Sequence, residues 1–80
     1  MIKKLTVDSD DFRFYSNWMK ERGFLSASYY SMHGYDSKKL RMQALKGNIN
    51  AIKCYIGKTV KWYYAEKQAE LAYLRGEVRY

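Results

Sequence analysis

Apolar residues recur at helical spacing near the start of the chain, at Phe12, Tyr15, Trp18 and Met19. Asp8 or Ser9 can cap a helix at this point, and Gly23 can end it in the left-handed conformation. The pattern predicts an amphipathic helix of about four turns, with its aromatic stripe facing the core. The preceding segment Met1–Val7 is predicted to be either an edge strand or a loose arm.

Two shorter helices are predicted next, separated by a three-residue connection that begins with Gly34. A hydroxyl of the segment Ser26–Ser28 can cap the first helix, which runs to about His33. Its expected inner face consists of Leu25, Tyr29 and Met32. Asp36 caps the second helix, predicted over Ser37–Lys46. This is the spacing of a helix-turn-helix, in which the second helix crosses the first and projects outward.

After Gly47 the pattern changes from helical to extended. Residues 49–64 are rich in β-branched and aromatic side chains and flank a turn at Ile56–Thr59, which predicts a β-hairpin with a basic tip. A last helix, Ala65–Arg75, is closed by Gly76. Its apolar residues form two stripes, one of Ala65, Ala69, Ala72 and Tyr73, the other of Leu71, Leu74 and Val78. Two stripes predict two neighbours, the hairpin and either the first helix or a second protomer.

These elements predict a mainly α-helical chain with a small β-hairpin, an α+β arrangement in the form of a winged helix-turn-helix. It would carry an extra N-terminal helix and a C-terminal helix. With 80 residues, the chain is expected to form a single domain. Its parts are an N-terminal arm and helix over 1–23, the helix-turn-helix over 25–46, the wing hairpin over 49–64 and the C-terminal helix over 65–76.

The net charge of +7 adds to this picture because it is concentrated in one segment. Between Asp36 and Lys61 there are seven lysine or arginine residues and one acid, which leaves only +1 for the rest of the chain. A basic excess in one place favours a polyanion-binding face over a merely solvated lysine-rich surface. We therefore expect this segment to contact double-stranded DNA.

The predicted second helix of the helix-turn-helix points long cationic side chains outward. Arg41 is the candidate for guanine recognition, because its planar fork can reach two acceptors at once. Lys38 and Lys39 are expected at phosphates. Met42 is predicted either to contact a thymine methyl group or to fill a gap under the wing. The predicted DNA-binding set is Ser37, Lys38, Lys39, Arg41, Met42, Lys46, Lys53, Lys58, Thr59 and Lys61.

Three spaced segments form an ordered series: Leu25–Asp36, Lys46–Lys53 and Gly57–Tyr64. They resemble the first helix and turn, the entry to the wing and the returning strand of the excisionase-like and MerR-like winged helix domains. Leu40 and Arg41 stand where that family's recognition helix has a buried aliphatic residue and an adjacent arginine. Asn50 and Ala65 replace two prolines that are usual there. The resemblance implies a small transcription regulator or an excisionase-type recombination directionality factor, carried by a phage or mobile element.

No catalytic constellation is recognisable, and we expect neither enzymatic activity, nor a metal site, nor a cofactor. Asp8, Asp10 and Asp11 cluster at a helix start and are interpreted as structural. His33 lies at the C-terminal end of a predicted helix, where the helix dipole favours a surface histidine without any catalytic role. Cys54 lies in a predicted strand and is expected to be half-buried and inert. One cysteine and one histidine cannot complete a structural zinc site.

The single cysteine, the lack of a signal-peptide pattern and the lack of a long apolar run predict a cytoplasmic, nucleoid-associated protein without membrane contact. Besides DNA, we expect partners at the C-terminal helix. These are a second copy or a cooperative array, which would use Leu71, Leu74 and Val78, or another protein such as an integrase.

Two other functions are compatible with the sequence. A winged-helix interaction module would dock on a polymerase, a recombinase or a packaging protein, which the double stripe favours. Alternatively, single-stranded nucleic acid could stack on a cluster formed by Tyr55, Trp62, Tyr63 and Tyr64. Strand pleating places Trp62 and Tyr64 on one face and Tyr63 on the other.

Overall fold

The structure, a computed structural model, describes all 80 residues and contains a four-stranded mixed sheet with helices on both sides. In chain order the elements are β1 (Ile2–Val7), a 3-10 turn (Ser9–Asp11), α1 (Phe12–Glu21), β2 (Phe24–Ser26), α2 (Ala27–Met32), α3 (Ser37–Leu45), β3 (Ala51–Ile56), β4 (Thr59–Ala65) and α4 (Glu66–Leu74). The strand order is β1-β3-β4-β2, with β1 parallel to β3 and the other pairs antiparallel.

The expectation of a mainly α-helical winged helix with a small hairpin is wrong. The β3–β4 hairpin forms, but it is the centre of a larger sheet rather than a projecting wing. β1 extends one edge over its whole length, from Ile2 opposite Ala51 to Val7 opposite Ile56. β2 extends the other edge over Phe24–Ser26. Of the two alternatives for the N-terminal segment, the edge strand is confirmed.

Side-chain alternation gives the sheet two faces, each with its own buried core. The front face carries Ala51, Lys53, Tyr55, Val60, Trp62 and Tyr64, and the back face carries Ile52, Cys54, Lys61 and Tyr63. The core on the front face combines the sheet with α2, α3 and α4, through Tyr30, Leu40, Ala44, Ile49, Ala51, Tyr64, Ala69, Ala72 and Val78. The core on the back face combines it with α1, through Val7, Met19, Ile52, Cys54 and Tyr63. Both faces of the hairpin therefore have helices packed against part of their surface.

Helix α3 begins at Ser37 as predicted and ends at Leu45, one residue earlier than expected. The Asp36 carboxylate accepts hydrogen bonds from the backbone N–H groups of Lys38 (2.9 Å) and Lys39 (3.2 Å), which confirms the predicted cap. Gly47 follows in the left-handed region with φ of +83°. The Asp36 cap and Gly47 therefore define the two ends of α3.

Two details of the other helices differ from the predictions. Neither Asp8 nor Ser9 caps α1, which begins only after the 3-10 turn and has no side-chain cap.

The inner residue of α2 is Tyr30, at 1% exposure, whereas Tyr29 and Met32 are 41% and 83% exposed. The expected inner face was out of phase because it was counted from a residue that lies in β2, not in the helix. The Tyr30 hydroxyl donates to the backbone carbonyl of Tyr64 at 2.9 Å.

The C-terminal segment folds back onto the start of α3. The backbone N–H of Asp36 donates to the carbonyl of Val78 at 2.8 Å, and Val78 is fully buried. Val78 therefore cannot belong to an intermolecular surface, contrary to its place in the predicted stripe. Leu71 and Leu74 are 54% and 68% exposed and stay available to a partner.

Packing of α1 against the back face can be tested with Met19→Ala. Met19 is fully buried in that core, so its truncation should lower the free energy of unfolding by about 2–5 kcal/mol in a denaturant titration. Phe14 lies on the outer side of the same helix at 65% exposure, and Phe14→Ala should cost less than about 0.5 kcal/mol. Equal, small losses for both variants would contradict the packing of α1 on the sheet.

Cys54 gives a second test of the same core, because it is free and has no exposed surface. It was expected to be half-buried and is fully buried instead. Burial raises the pKa of its thiol, and nearby Lys61 opposes this only in part. Little thiolate is therefore present at neutral pH, and a thiol-specific reagent should label native protein far more slowly than protein unfolded in denaturant. Rapid stoichiometric labelling of native protein would show that the back face is open.

Candidate nucleic-acid interface

The outer half of the front face is open, because the helices cover only its inner end. Ala51 and Tyr64 are 2% and 1% exposed beneath the helices, whereas Val60 is 43% exposed. Parallel pairing of β1 with β3 places Lys4 beside Lys53 on this face. We define the open front face as Lys4, Thr6, Lys53, Tyr55, Val60 and Trp62, all of them exposed or half-buried.

Arg41 joins helix α3 to this face through Tyr64. Burial raises the pKa of the Tyr64 hydroxyl above its ordinary value, while the positive charge of nearby Arg41 acts in the opposite direction. The Arg41 residue itself is exposed. A guanidinium has five N–H donors, so Arg41 keeps donors for an external acceptor while it lies near Tyr64.

The aromatic rings of β4 continue the surface from Tyr64 to Lys53. The Trp62 and Tyr64 rings are nearly parallel, with centroids 6.1 Å apart and an angle of 12° between their planes. The ammonium of Lys53 lies 5.4 Å from the ring centres of both Trp62 and Tyr55. These cation–π contacts hold the Lys53 side chain on the sheet. Trp62 and Lys53 thus belong to one surface, and the buried Tyr64 lies between this surface and Arg41 of α3.

The segment that contributes most of this surface contains no acidic residue. No aspartate or glutamate occurs from Ser37 to Ala65, a stretch that covers α3, β3 and β4. The molecule contains one ion pair, between Arg75 and Glu77 at 3.2 Å, and it lies outside that stretch. The cations of α3 and the hairpin are therefore not neutralised by carboxylates of this chain, which is the electrostatic condition for binding a polyanion.

The remaining predicted residues of α3 differ in their availability. Lys38 and Lys46 are exposed, and Met42 is 49% exposed. Lys39 instead donates its ammonium to the carbonyl of Arg79 at 2.8 Å, so it is already engaged. Ser37 is half-buried at the first position of the helix. The N-terminal N–H groups that could have held a phosphate are those bonded to the Asp36 cap.

The hairpin separates residues that the sequence had grouped together. Lys58 is exposed in a two-residue turn, where Gly57 alone has a positive φ (+58°), as a type II′ turn requires. Thr59 and Lys61 alternate onto the back face. The Lys61 ammonium lies 4.9 Å from the ring centre of Phe12 in α1. Lys53 and Lys61 therefore lie on opposite faces of the sheet, although both were expected at the DNA.

Two contributors were missed by the sequence analysis. Lys4 reaches the open front face only through the parallel pairing of β1, and no local signal in the chain specifies that register. Tyr64 was assigned to an aromatic cluster, and nothing in the sequence indicated its contact with Arg41. The sequence carried a partial signal for the position of Lys4. In a strand, every second side chain lies on the same face, so Ile2, Lys4 and Thr6 share one face of β1.

The four-ring cluster considered for single-stranded nucleic acid is not available as a unit. Tyr63 and Tyr64 are 4% and 1% exposed and belong to the back and front cores. Only Tyr55 and Trp62 retain accessible surface, and the Lys53 ammonium lies close to both rings. A stacking platform for successive bases is thereby reduced to two rings.

The polar groups outside this surface have ordinary structural partners. His33 hydrogen-bonds through Nδ1 with the carbonyl oxygen of Tyr29 at 2.8 Å and stacks on its ring at 4.2 Å. No three side chains of histidine, cysteine, aspartate or glutamate come together in a group that could hold a metal ion. None of the helices has the length and apolar character needed to cross a membrane.

The surface formed by α3 and the open front face thus combines accessible cations with two accessible aromatic rings. Scans against protein-family models, curated proteins and solved structures find no match to the chain. The resemblance to excisionase-like and MerR-like domains therefore gains no support from a relative. Any functional conclusion has to come from the surface itself.

Proposed function

We propose that the protein binds double-stranded DNA, with α3 in the major groove and the open front face on the adjacent phosphate backbone. The supporting observation is the set of accessible cations on α3 and the open front face, none of which forms an ion pair: Lys38, Arg41, Lys46, Lys4 and Lys53. The proposed role of this surface is to bind DNA, not to catalyse a reaction. It could serve a small transcription regulator or a recombination directionality factor, both of which act by occupying or bending DNA.

Helix α3 has dimensions and side chains suited to a major groove. An α-helix with its side chains is about 10–12 Å in diameter, which matches the major groove width of about 12 Å. The residues Lys38, Arg41, Met42 and Leu45 follow one another at helical spacing, opposite the buried Leu40 and Ala44. In this arrangement Arg41 reaches a guanine edge, and Met42 and Leu45 offer apolar contact to thymine methyl groups.

The open front face and the hairpin tip supply contacts to phosphates. Lys4 and Lys53 lie side by side on the sheet, and Lys58 lies at the tip. Ammonium groups act as point charges with little preference among bases, so these contacts add affinity that depends on salt rather than on sequence. Lys61, on the back face, does not take part.

The exposed leucines of α4 complete the proposal. Leu71 and Leu74 lie outside both cores and can contact a second copy bound at a neighbouring site, or a protein partner such as an integrase. Cooperative contacts of this kind would compensate for the small interface that one short helix makes with DNA.

The two lysines on opposite faces of β3 and β4 provide a matched test of the proposed surface. Lys53→Ala and Lys61→Ala remove the same charge from neighbouring strands. Lys53→Ala should weaken binding to any duplex and lower the slope of log K against log salt by about 1. Lys61→Ala should leave that slope nearly unchanged. Fluorescence anisotropy with a labelled duplex at several salt concentrations measures both.

The same experiment discriminates against the alternatives. Equal losses for the two variants would mean that only net charge matters, and the proposed face would be wrong. Tighter binding of a single strand than of a duplex would favour stacking on Tyr55 and Trp62 instead. Absence of any duplex binding at low salt would exclude the function.

Sequence preference should depend on α3, through Arg41 and its contact with Tyr64. Arg41→Ala should cost about 1–3 kcal/mol on the preferred site and relax the preference, as measured by selection from a random duplex pool. Tyr64→Phe keeps the buried ring but removes the hydroxyl that lies near the charge of Arg41, so it should relax the same position to a smaller extent. Lys58→Ala should weaken all duplexes about equally. A changed preference in Lys58→Ala with an unchanged one in Arg41→Ala would contradict this docking.

A further inference from the structure

Strand β4 has an open edge along its outer half. Its neighbour β2 is only three residues long, and its pairing ends where Ser26 lies opposite Tyr63. The stretch Thr59–Trp62 therefore has β3 on one side and no strand on the other. Such an edge is a template for an additional strand.

The register of the hairpin identifies the unpaired backbone groups. The two-residue turn makes Ile56 and Thr59 the first hydrogen-bonded pair, and such pairs alternate along an antiparallel ladder. Thr59, Lys61 and Tyr63 therefore bond towards β3. Val60 directs its N–H and C=O groups to the open edge, and Trp62 directs its N–H group there. The pairing of Ser26 with Tyr63 brings the Trp62 carbonyl to the backbone N–H of Ala27. Val60 and Trp62 are two consecutive bonding positions of a ladder.

A groove of about 600 Å³ lies beside this edge and has a defined chemical character. Its walls come from α1, β2 and the start of α2, with Phe12, Phe24 and Tyr29 among the apolar residues. Lys20 and Lys61 also line it, and no acidic residue does. An extended segment lying here would meet apolar surface beside Val60 and Trp62 and positive charge beside Lys61.

A second copy of the same strand does not fit this edge well. The symmetric antiparallel register that satisfies both Val60 and Trp62 places Lys61 directly opposite Lys61 of the second copy. Side chains in that relation lie about 5 Å apart at Cβ, and like charges there destabilise the pair. A carboxylate in the same position forms a favourable pair instead. The edge therefore disfavours self-association and favours an acidic partner.

We propose that the open edge of β4 binds an extended acidic peptide segment of another protein, which continues the line of β2 and adds a fifth strand to the sheet. The segment alternates apolar and acidic residues: a carboxylate lies on the back face near Lys61 and Lys20, and apolar side chains lie on the front face beside Val60 and Trp62. Backbone hydrogen bonds supply the affinity, and the lysines supply the selection. This site shares Val60 and Trp62 with the open front face but does not include Arg41, and peptide binding there does not require DNA.

The test uses the isotope-labelled full chain and two peptides of about seven residues, one alternating valine with glutamate and the other valine with lysine. The valine–glutamate peptide should shift the amide signals of Val60 and Trp62 and slow their hydrogen exchange. The valine–lysine peptide should bind about fivefold more weakly. Lys61→Glu should reverse that order. Val60→Pro removes an edge N–H without breaking the bonds to β3 and should abolish binding, whereas Val60→Thr should retain it.

Each contrary outcome overturns the proposal. Peptide-induced shifts confined to Arg41 and Lys53 would mean that the acid merely binds the basic surface. If Lys61→Glu still prefers the valine–glutamate peptide, the charge of Lys61 does not select the partner. That result overturns the proposal even if Val60→Pro unfolds. No binding at millimolar peptide, or dimerisation through these amides without peptide, would show that the edge has no such partner.

Discussion

Tyr64, in the middle of β4, is the residue on which the arrangement of the molecule depends. Its backbone carbonyl accepts the hydrogen bond from the Tyr30 hydroxyl, and its backbone lies opposite Leu25 of β2. Its ring fills the front core, and the positive charge of Arg41 lies near its hydroxyl. Tyr64 therefore ties α2 to the sheet through its backbone and joins the open front face to the core beneath α3 through its ring.

The local elements could be predicted because their signals are local. The cap at Asp36 and the left-handed Gly47 define α3, and Gly57 defines the turn of the hairpin. The four-stranded sheet could not be predicted, because its two outer strands show no clear alternation of apolar and polar residues. β1 sends Ile2 to the front core and Val7 to the back core, which hides the alternation expected of a half-buried strand. β2, with three residues, is too short to show any period.

The candidate site was predicted in its charge but not in its geometry. The acid-free run from Ser37 to Ala65 is visible in the sequence, and it contains α3 and the hairpin. Which lysines share a face depends on strand pairing: Lys61 turns to the back, and Lys4 joins the front from a distant part of the chain. The helix packed on the back face also changes the role of the hairpin, because the outer half of its front face is left as the open side. The open edge of β4 is a second surface, which adjoins the first at Val60 and Trp62.

The two tryptophans lie on opposite sides of the sheet and offer the most direct test of one-sided DNA binding. Trp62 belongs to the open front face, and Trp18 packs in α1 against the back core, where Arg22 covers its ring at 4.0 Å. Each gives one indole N–H signal in a nitrogen–proton spectrum. On titration with a short duplex, the Trp62 signal should move in a saturable way while the Trp18 signal stays in place. Movement of Trp18 with Trp62 unchanged would contradict the account.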